Sequence, residues 1–409
     1  MPTLLQINAV SNYGSTGKIM ENIAGVAEKY GWTNYIACGS RYSQPSKYPT
    51  FIISSTRENY IAALHTLLTD RHGFALERQT KAFVKWIDTI RPDVIHLHNI
   101  HSYYLNIQVL FGYLSKKNIP VIWTLHDCWA FTGHCSHFIK INCDKWRTTC
   151  HDCALKRDFP KSLFFDKSYQ NYQDKKKIFC SPCRMIITPV SKWLADMTAL
   201  SFLNKYPINV VYNGIDTNLF KPVESDSLKK KYNLQKKHIL LGVSNDWGIA
   251  KGLRDYFALS QIIAHDYQIV LVGMNEKQIA EYGDRGILCI PRTKSVEELV
   301  KWYSAADVVL HLSYAETFGL PVVEGFSCGT PAIVYDDTSL SELITPDTGF
   351  KITPGDLNEV RIKVEQITQQ GKEHYSTNCR QRAIEKYNMR DRYMDYLKIY
   401  EKIMGVNEY

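Results

Sequence analysis

The sequence predicts an α/β protein made of two doubly wound, parallel-sheet domains. Three observations carry this. The chain has 409 residues, too many for one ordinary hydrophobic core. Apolar runs of strand length alternate with helical stretches, and strands separated by helices imply a parallel sheet. The alternation is clearest around His311–Pro331, HLSYAETFGLPVVEGFSCGTP. Val308–Leu312 reads as a buried strand and Ala332–Tyr335 as the next. Between them Pro321 suits a helix's first turn, where no donor is needed. Gly329 suits the left-handed position just past that helix. In such units ligands sit beyond the carboxyl ends of the strands, where the loop carrying Glu316 lies.

Bulk properties narrow the class. The 45% hydrophobic and 22% charged fractions are those of a soluble globular protein. The start, MPTLLQINAV, has no basic region and enters a strand directly, so no signal peptide is expected. No apolar run approaches the roughly 20 residues needed to span a bilayer. A cytoplasmic location is therefore expected, and structural disulfides are not. The net charge of +8 is concentrated: residues 140–192 hold 12 Lys or Arg against five Asp. Such a segment can meet nucleic acid or an anionic membrane surface, or can simply be a solvated loop face.

In chain order, residues 3–8 form the first strand, followed by Tyr13-Gly14-Ser15-Thr16-Gly17-Lys18 and a helix through Tyr30. This is no P-loop, which needs four residues between its glycines and Ser or Thr after the lysine; here two intervene and Ile19 follows. It reads either as a turn whose amides face a phosphate or as one needing glycine for steric reasons. Thr33–Cys38 is a strand, Tyr60–Leu68 and Thr80–Ile90 are helical, and Val94–His98 and Val121–Leu125 are strands. His98, Asn99, His126 and Asp127 fall at strand ends, on the ligand side, whereas His96 between apolar neighbours reads as a structural residue.

The next stretch is rich in cysteine: Cys128, Cys135, Cys143, Cys150, Cys153, Cys180 and Cys183 are seven of the chain's 11. Cys150-x2-Cys153 and Cys180-x2-Cys183 are metal-type pairs. Cys135, Cys143, Cys150 and Cys153, or a set that uses Cys180 and Cys183, would close a tetrahedral structural zinc site. Four thiolates suit an iron–sulfur cluster equally. A basic loop with little apolar content would need such a metal to hold one conformation.

Met185–Ser191 resumes the sheet and Lys192–Leu200 is a helix. Val210–Asp216 marks a strand and turn, and the lysine-rich Glu224–Lys237 reads as surface. The expected division is 1–204, with the Cys-rich insert 128–183 and the last helix from about 390 to 409, and 205–389. The second domain opens with strand His238–Ser244, loop Asn245–Gly252 and a helix from Leu253. Strands at Gln268–Gly273, Gly286–Ile290 and Val308–Leu312 then alternate with helices 276–282 and 296–304.

Glu316-x7-Glu324, enclosing Phe318-Gly319-Leu320-Pro321 and followed by Gly329-Thr330-Pro331, resembles the donor-sugar motif of retaining GT-B glycosyltransferases. The resemblance implies two Rossmann-like domains facing a cleft, and sugar transfer from a nucleoside diphosphate sugar to a glycan or lipid-linked acceptor in surface-polysaccharide assembly, with no catalytic metal. It implies that Glu324, near the first turn of its helix, accepts from the ribose hydroxyls and that Glu316 contacts the donor sugar. Amides of Phe318, Gly319 and Leu320 would bind sugar or diphosphate oxygens, and Gly14 and Gly17 would line the donor phosphates. His126 would lie near the reacting sugar, with His98 and Asp127 on the acceptor side and Asp127 orienting the ring or an acceptor hydroxyl. Lys251-Gly252 matches the family's Lys-Gly pair and would stabilise the departing diphosphate. The family's arginine is not matched, because Asn245 or Trp247 stands near its place. Either Arg254 or Arg292 substitutes, or backbone amides hold the phosphates.

A similar Cys-rich insert occurs in a subset of the resembling enzymes, and it would shape the acceptor side. The basic 140–192 segment would reach an anionic membrane from the cytoplasmic side. Two other classes fit the sequence less well. A nucleotide-dependent oxidoreductase would need a strand leading into Gly-x-Gly-x-x-Gly, which this chain lacks. A zinc-bearing nucleic-acid-binding protein would leave the Glu316 stretch unexplained.

Overall fold

The computed structural model describes residues 1–283 and 285–405. The chain divides into two compact units, Met1–Tyr212 with the residues from Tyr393 onward, and Asn213–Arg392. The boundary falls later than the expected 204/205 because the intervening residues still run along the first sheet. Ile187 N–H donates to Pro207 O at 3.0 Å, and Asn209 and Val211 donate to Ile187 O and Pro189 O at 3.0 and 3.1 Å.

The first unit comprises β1 (Thr3–Asn8), α1 (Gly14–Lys29), β2 (Thr33–Gly39), β3 (Thr50–Ser54), α2 (Thr56–Thr69), α3 (Glu77–Ile90), β4 (Val94–Leu97), α4 (Ile107–Lys117), β5 (Val121–Leu125), α5 (Ser168–Phe179), β6 (Met185–Pro189) and α6 (Lys192–Ala199). The second comprises α7 (Asp226–Lys231), β7 (His238–Val243), α8 (Leu253–Ser260), β8 (Tyr267–Val272), α9 (Glu276–Tyr282), β9 (Ile287–Ile290), α10 (Val296–Ala305), β10 (Val308–His311), α11 (Leu320–Ser327), β11 (Ala332–Tyr335), β12 (Gly349–Ile352), α12 (Leu357–Gln370) and α13 (Glu373–Tyr387). A last helix, α14 (Met389–Met404), crosses the division.

Each unit is built on a six-stranded sheet, ordered β3-β2-β1-β4-β5-β6 in the first and β12-β11-β10-β7-β8-β9 in the second. All pairings are parallel. The two orders are the same when each is counted from its own first strand. Such sheets are covered on both faces, which is why β4, β5 and β10 are buried at every position and read as continuous apolar runs. In both units the strand order reverses between the first and fourth strands, and that switch point is where doubly wound sheets bind ligands.

The core of the first unit contains a polar seam. His96, fully buried, pairs through Nδ1 with the Tyr400 hydroxyl at 2.6 Å and through Nε2 with Thr124 Oγ1 at 2.7 Å. Thr124 Oγ1 also meets the Thr188 hydroxyl at 2.7 Å and donates to Tyr396 Oη at 3.1 Å. His96 is thus a satisfied structural residue, and α14 is bonded into the first sheet by two tyrosines. Burial holds the His96 imidazole neutral, well below its usual range, as expected where ionisation would go uncompensated.

The insert between β5 and α5 corrects one expectation. It is not poor in apolar packing, because Trp129, Phe131, Phe138 and Trp146 are buried. The Trp146 ring lies 4.7 Å from Phe138 and 5.2 Å from Phe131. Buried Lys175 on α5 donates to Trp129 O and Thr132 O at 2.8 and 3.0 Å. His134 donates from Nδ1 to Asp70 Oδ1 at 2.7 Å, with both side chains fully buried.

Tyr400→Phe removes one partner of buried His96 and should lower unfolding stability by about 1–3 kcal/mol. A urea midpoint equal to that of the unaltered chain would show that the seam does not hold α14.

Candidate active site

The second unit places its chemistry at the switch point between β7 and β10. Gly252, with φ +71°, lies against the end of β10 so closely that a Cβ there would stand 1.9 Å from Leu312 O. No other residue permits that approach. Tyr314 N–H and Ser313 Oγ then donate to Ala250 O at 2.9 and 3.1 Å, clamping the two loops together. The clamp carries Lys251 Nζ to Glu316 Oε2, to which it donates at 2.7 Å. His311, the last residue of β10, donates from Nε2 to the same oxygen at 3.1 Å. Burial alone would raise the Glu316 pKa, but the Lys251 charge and the His311 contact outweigh it and hold the carboxyl well below its usual range. Glu316 is therefore a carboxylate with two fixed donors.

The loop continues into α11. Gly319 caps it with φ +97°, Pro321 sits in its first turn, and Gly329 follows it with φ +74°. A Cβ on Gly319 would come within 2.5 Å of Leu340. Because α11 starts at Leu320, Glu324 lies in its second turn rather than near its first. It accepts from the Tyr303 hydroxyl at 2.6 Å. Phe318 is buried edge-to-face on Tyr387, with centroids 5.8 Å apart. Amides of an α-helix's first turn lack intrahelical partners and suit oxyanions.

The arginines stand differently. Arg254 is exposed on α8. Arg292 is exposed in the loop after β9, the edge strand separated from β10 by β7 and β8. The structure brings Lys251, His311 and Glu316 together and leaves both arginines outside that bonded cluster. His311 and Tyr303 were missed in the sequence. The strand-end rule that singled out His98 and His126 applies equally to His311, whereas nothing local marks Tyr303.

In the first unit the switch point lies between β1 and β4. Asn8 Oδ1 accepts from Asn99 N–H at 3.2 Å, joining the two loops. Gly14, φ +61°, opens α1. Gly17 has a packing reason: its Cβ would lie 3.2 Å from Asn12 N and Val10 O. His98 is buried and His126 half-buried, and their rings stack with Nδ1 of His98 3.1 Å from Nε2 of His126. The Gln6 amide donates to Met20 O at 3.0 Å, so its oxygen must accept from His98 Nε2 at 3.1 Å. His98 Nδ1 is then an acceptor, and His126 donates to it through Nε2. The His126 ring is thus oriented by His98, whereas the Asp127 oxygens accept from His101 Nε2 at 2.8 Å and Trp129 N–H at 2.9 Å. This corrects the expectation that Asp127 orients the His126 ring. Burial pulls His126 down to about 4, against a raising effect of Asp127. Burial also works against the Asp127 charge, yet His101 brings that carboxyl down to about 2.

The cysteines part company. Cys135, Cys143, Cys150 and Cys153 line one cavity of about 230 Å³ with His134. Cys180 and Cys183 are not in its lining; the Cys180 thiol faces Phe202 O at 3.3 Å. Among the described residues no three or more His, Cys, Asp or Glu side chains are grouped to hold a metal ion. The Cys150 sulfur instead accepts from Gly133 N–H at 3.1 Å. Of the two expected ligand choices, the structure brings Cys135, Cys143, Cys150 and Cys153 to one cavity and leaves Cys180 and Cys183 out of it.

The depressed histidine has a pH consequence. Between its usual 6.5 and about 4, His126 is protonated in the unfolded chain and neutral in the folded one. Acidification through that window therefore favours unfolding, by roughly 3 kcal/mol at its lower end. His126→Asn should flatten the stability-versus-pH curve there in chemical denaturation, and an unchanged slope would refute the burial assigned to the ring.

Two family models match the chain: "Glycosyltransferase Family 4" over residues 57–219 and "Glycosyl transferases group 1" over 224–386. The Escherichia coli K12 protein WcaC, provisionally named a colanic acid biosynthesis glycosyl transferase, is 31% identical over 136 residues, 31% of this chain and 32% of that protein. The "MMP alpha-(1->4)-mannosyltransferase" of Mycolicibacterium hassiacum is 27% identical over 231 residues, 54% of each chain. The chain thus spans between a third and about half the length of these two relatives. The solved structure of Anabaena Alr3699/HepE in complex with UDP superposes with a TM-score of 0.70 at 16% identity, over 98% of this chain and 100% of that one. Each of the two parallel-sheet units is thus matched, over residues 57–219 and 224–386, by a glycosyltransferase domain model, and the chain has the GT-B fold.

Proposed function

We propose that the protein transfers a sugar from a nucleoside diphosphate sugar to a hydroxyl of a glycan or lipid-linked glycan, with retention at the anomeric carbon, in surface-polysaccharide assembly. The observation that carries this reading is the Lys251–Glu316–His311 cluster at the switch point of the second unit. It combines a fixed carboxylate, a cation and the amino end of α11 at the strand ends. The UDP named for HepE and the polysaccharide and mannosyl transfers named for the relatives agree with that choice of substrate class.

The chemistry follows from the groups present. An ammonium has three N–H donors, so Lys251 can keep its bond to Glu316 and still meet a diphosphate oxygen. With the α11 amides it stabilises the charge that develops on the departing diphosphate. Glu316, charged and held by two donors, accepts from donor-sugar hydroxyls. Glu324, oriented by Tyr303, accepts from the ribose diol. His126, neutral and donating through Nε2 to His98, positions a sugar or acceptor hydroxyl at the end of β5. The leaving phosphate takes the acceptor proton on the same face. Glu316 and Glu324 are not a hydrolase's facing acid and nucleophile, since each is committed to its own donors.

A thermal-stabilisation screen of nucleotide sugars, with anomer analysis of the product by NMR, tests the reading. The unaltered chain should be stabilised by one nucleotide sugar and by its nucleoside diphosphate. Glu324→Ala should weaken that nucleotide about tenfold or more, the scale of a lost charged hydrogen bond. Unchanged UDP and GDP binding in Glu324→Ala, or an inverted product, would overturn the assignment.

A further inference from the structure

α2 is built inside out. Its buried positions are Asn59, Ala62 and Thr66, which are small or polar. Asn59 Nδ2 donates to Ser54 Oγ and Tyr103 O at 2.8 and 2.9 Å, and Thr66 Oγ1 to Ala62 O at 2.9 Å. The outward face carries Tyr60, Ile61, Leu64 and Leu68, between 42% and 56% exposed. This i, i+1, i+4, i+8 pattern is the apolar stripe that a surface helix ordinarily turns to the core.

The insert extends that surface. Leu163 N–H donates to Leu67 O at 3.0 Å, laying the insert against the last turn of α2. Leu163, Phe164 and Phe165 are 39%, 68% and 53% exposed. Cations border both parts. The Arg41 guanidinium lies 4.6 Å from the Tyr60 ring centroid, and the Lys167 ammonium lies 5.9 Å from that of Phe165. Arg57 and Lys161 are exposed. The neighbouring acids are engaged internally: Glu58 caps α2 through Ser55, Asp166 accepts from Ser168 N–H, and Asp158 pairs with Lys140.

We propose that this face of the first unit docks on an anionic lipid bilayer, with the α2 stripe and Phe164–Phe165 entering the acyl boundary and the bordering Arg and Lys meeting headgroup phosphates. Exposed apolar groups ringed by cations are what interfacial binding needs. A second copy of the chain fits less well, because a face paired with itself would set cations against cations. No helix among the described residues is long and apolar enough to cross a membrane, so the attachment is to the surface. It does not depend on the transfer reading.

Cosedimentation of the full chain with sucrose-loaded vesicles tests this. Binding is expected to phosphatidylcholine vesicles containing about 30% phosphatidylglycerol, at least about tenfold weaker to pure phosphatidylcholine, and weakened by high salt. Leu64→Ser/Phe164→Ser should weaken binding about tenfold or more. Lys161→Glu/Lys167→Glu should weaken it on the anionic vesicles only. All these positions are exposed, so melting temperature and nucleotide-induced stabilisation should be unchanged, which separates this test from that of the transferase reading. No binding to anionic vesicles, equal binding by the Leu64/Phe164 variant, or self-association abolished by that variant would overturn the proposal.

Discussion

The close approach of Gly252 to the carbonyl of Leu312 is the constraint on which the candidate site depends. Parallel strands β7 and β10 are neighbours in the sheet, but adjacency alone would leave their following loops apart. A glycine with positive φ lets one loop settle on the other. Only then does Lys251 reach Glu316, sixty-five residues further along the chain. The ion pair is consequently a product of backbone shape before it is one of charge. With a partly exposed lysine, at 30%, its net stabilising contribution is small. Its value lies in holding a carboxylate and a cation in fixed places where strand order reverses.

The first unit reaches a comparable result by neutral means. The Gln6 amide sets which nitrogen of His98 carries the proton, and His98 sets which nitrogen of His126 does. Orientation is passed along hydrogen bonds from β1 through β4 to the end of β5, in a region too dry for the rings to ionise readily. Asp127, which looks in sequence like the natural partner of His126, is held by His101 and the Trp129 amide instead.

Much of the fold was legible because parallel strands buried on both faces leave continuous apolar runs. β1 and β5 start and end where those runs do. β3 was not seen, since it is an edge strand with three of five residues partly or fully exposed and no long apolar run. α5 was hidden by its composition, SYQNYQDKKKIF, because it packs through a tyrosine, a buried lysine and one phenylalanine. At the site, Glu316, Glu324 and Lys251 were visible as local motifs. Their partners were not: Tyr303 lies on another helix, and the pairing of His311 with Glu316 depends on how a loop folds back. In the insert the cysteine spacing stood out, whereas the buried aromatic cluster of Trp129, Phe131, Phe138 and Trp146 was masked by the surrounding lysines.

The central claim is that the β7–β10 switch point of the second unit holds the donor diphosphate. Amide hydrogen exchange with and without the stabilising nucleoside diphosphate tests it most directly. Slowed exchange concentrated in residues 247–254 and 312–326 is the predicted result. Protection confined to other segments, with these two unchanged, would contradict it.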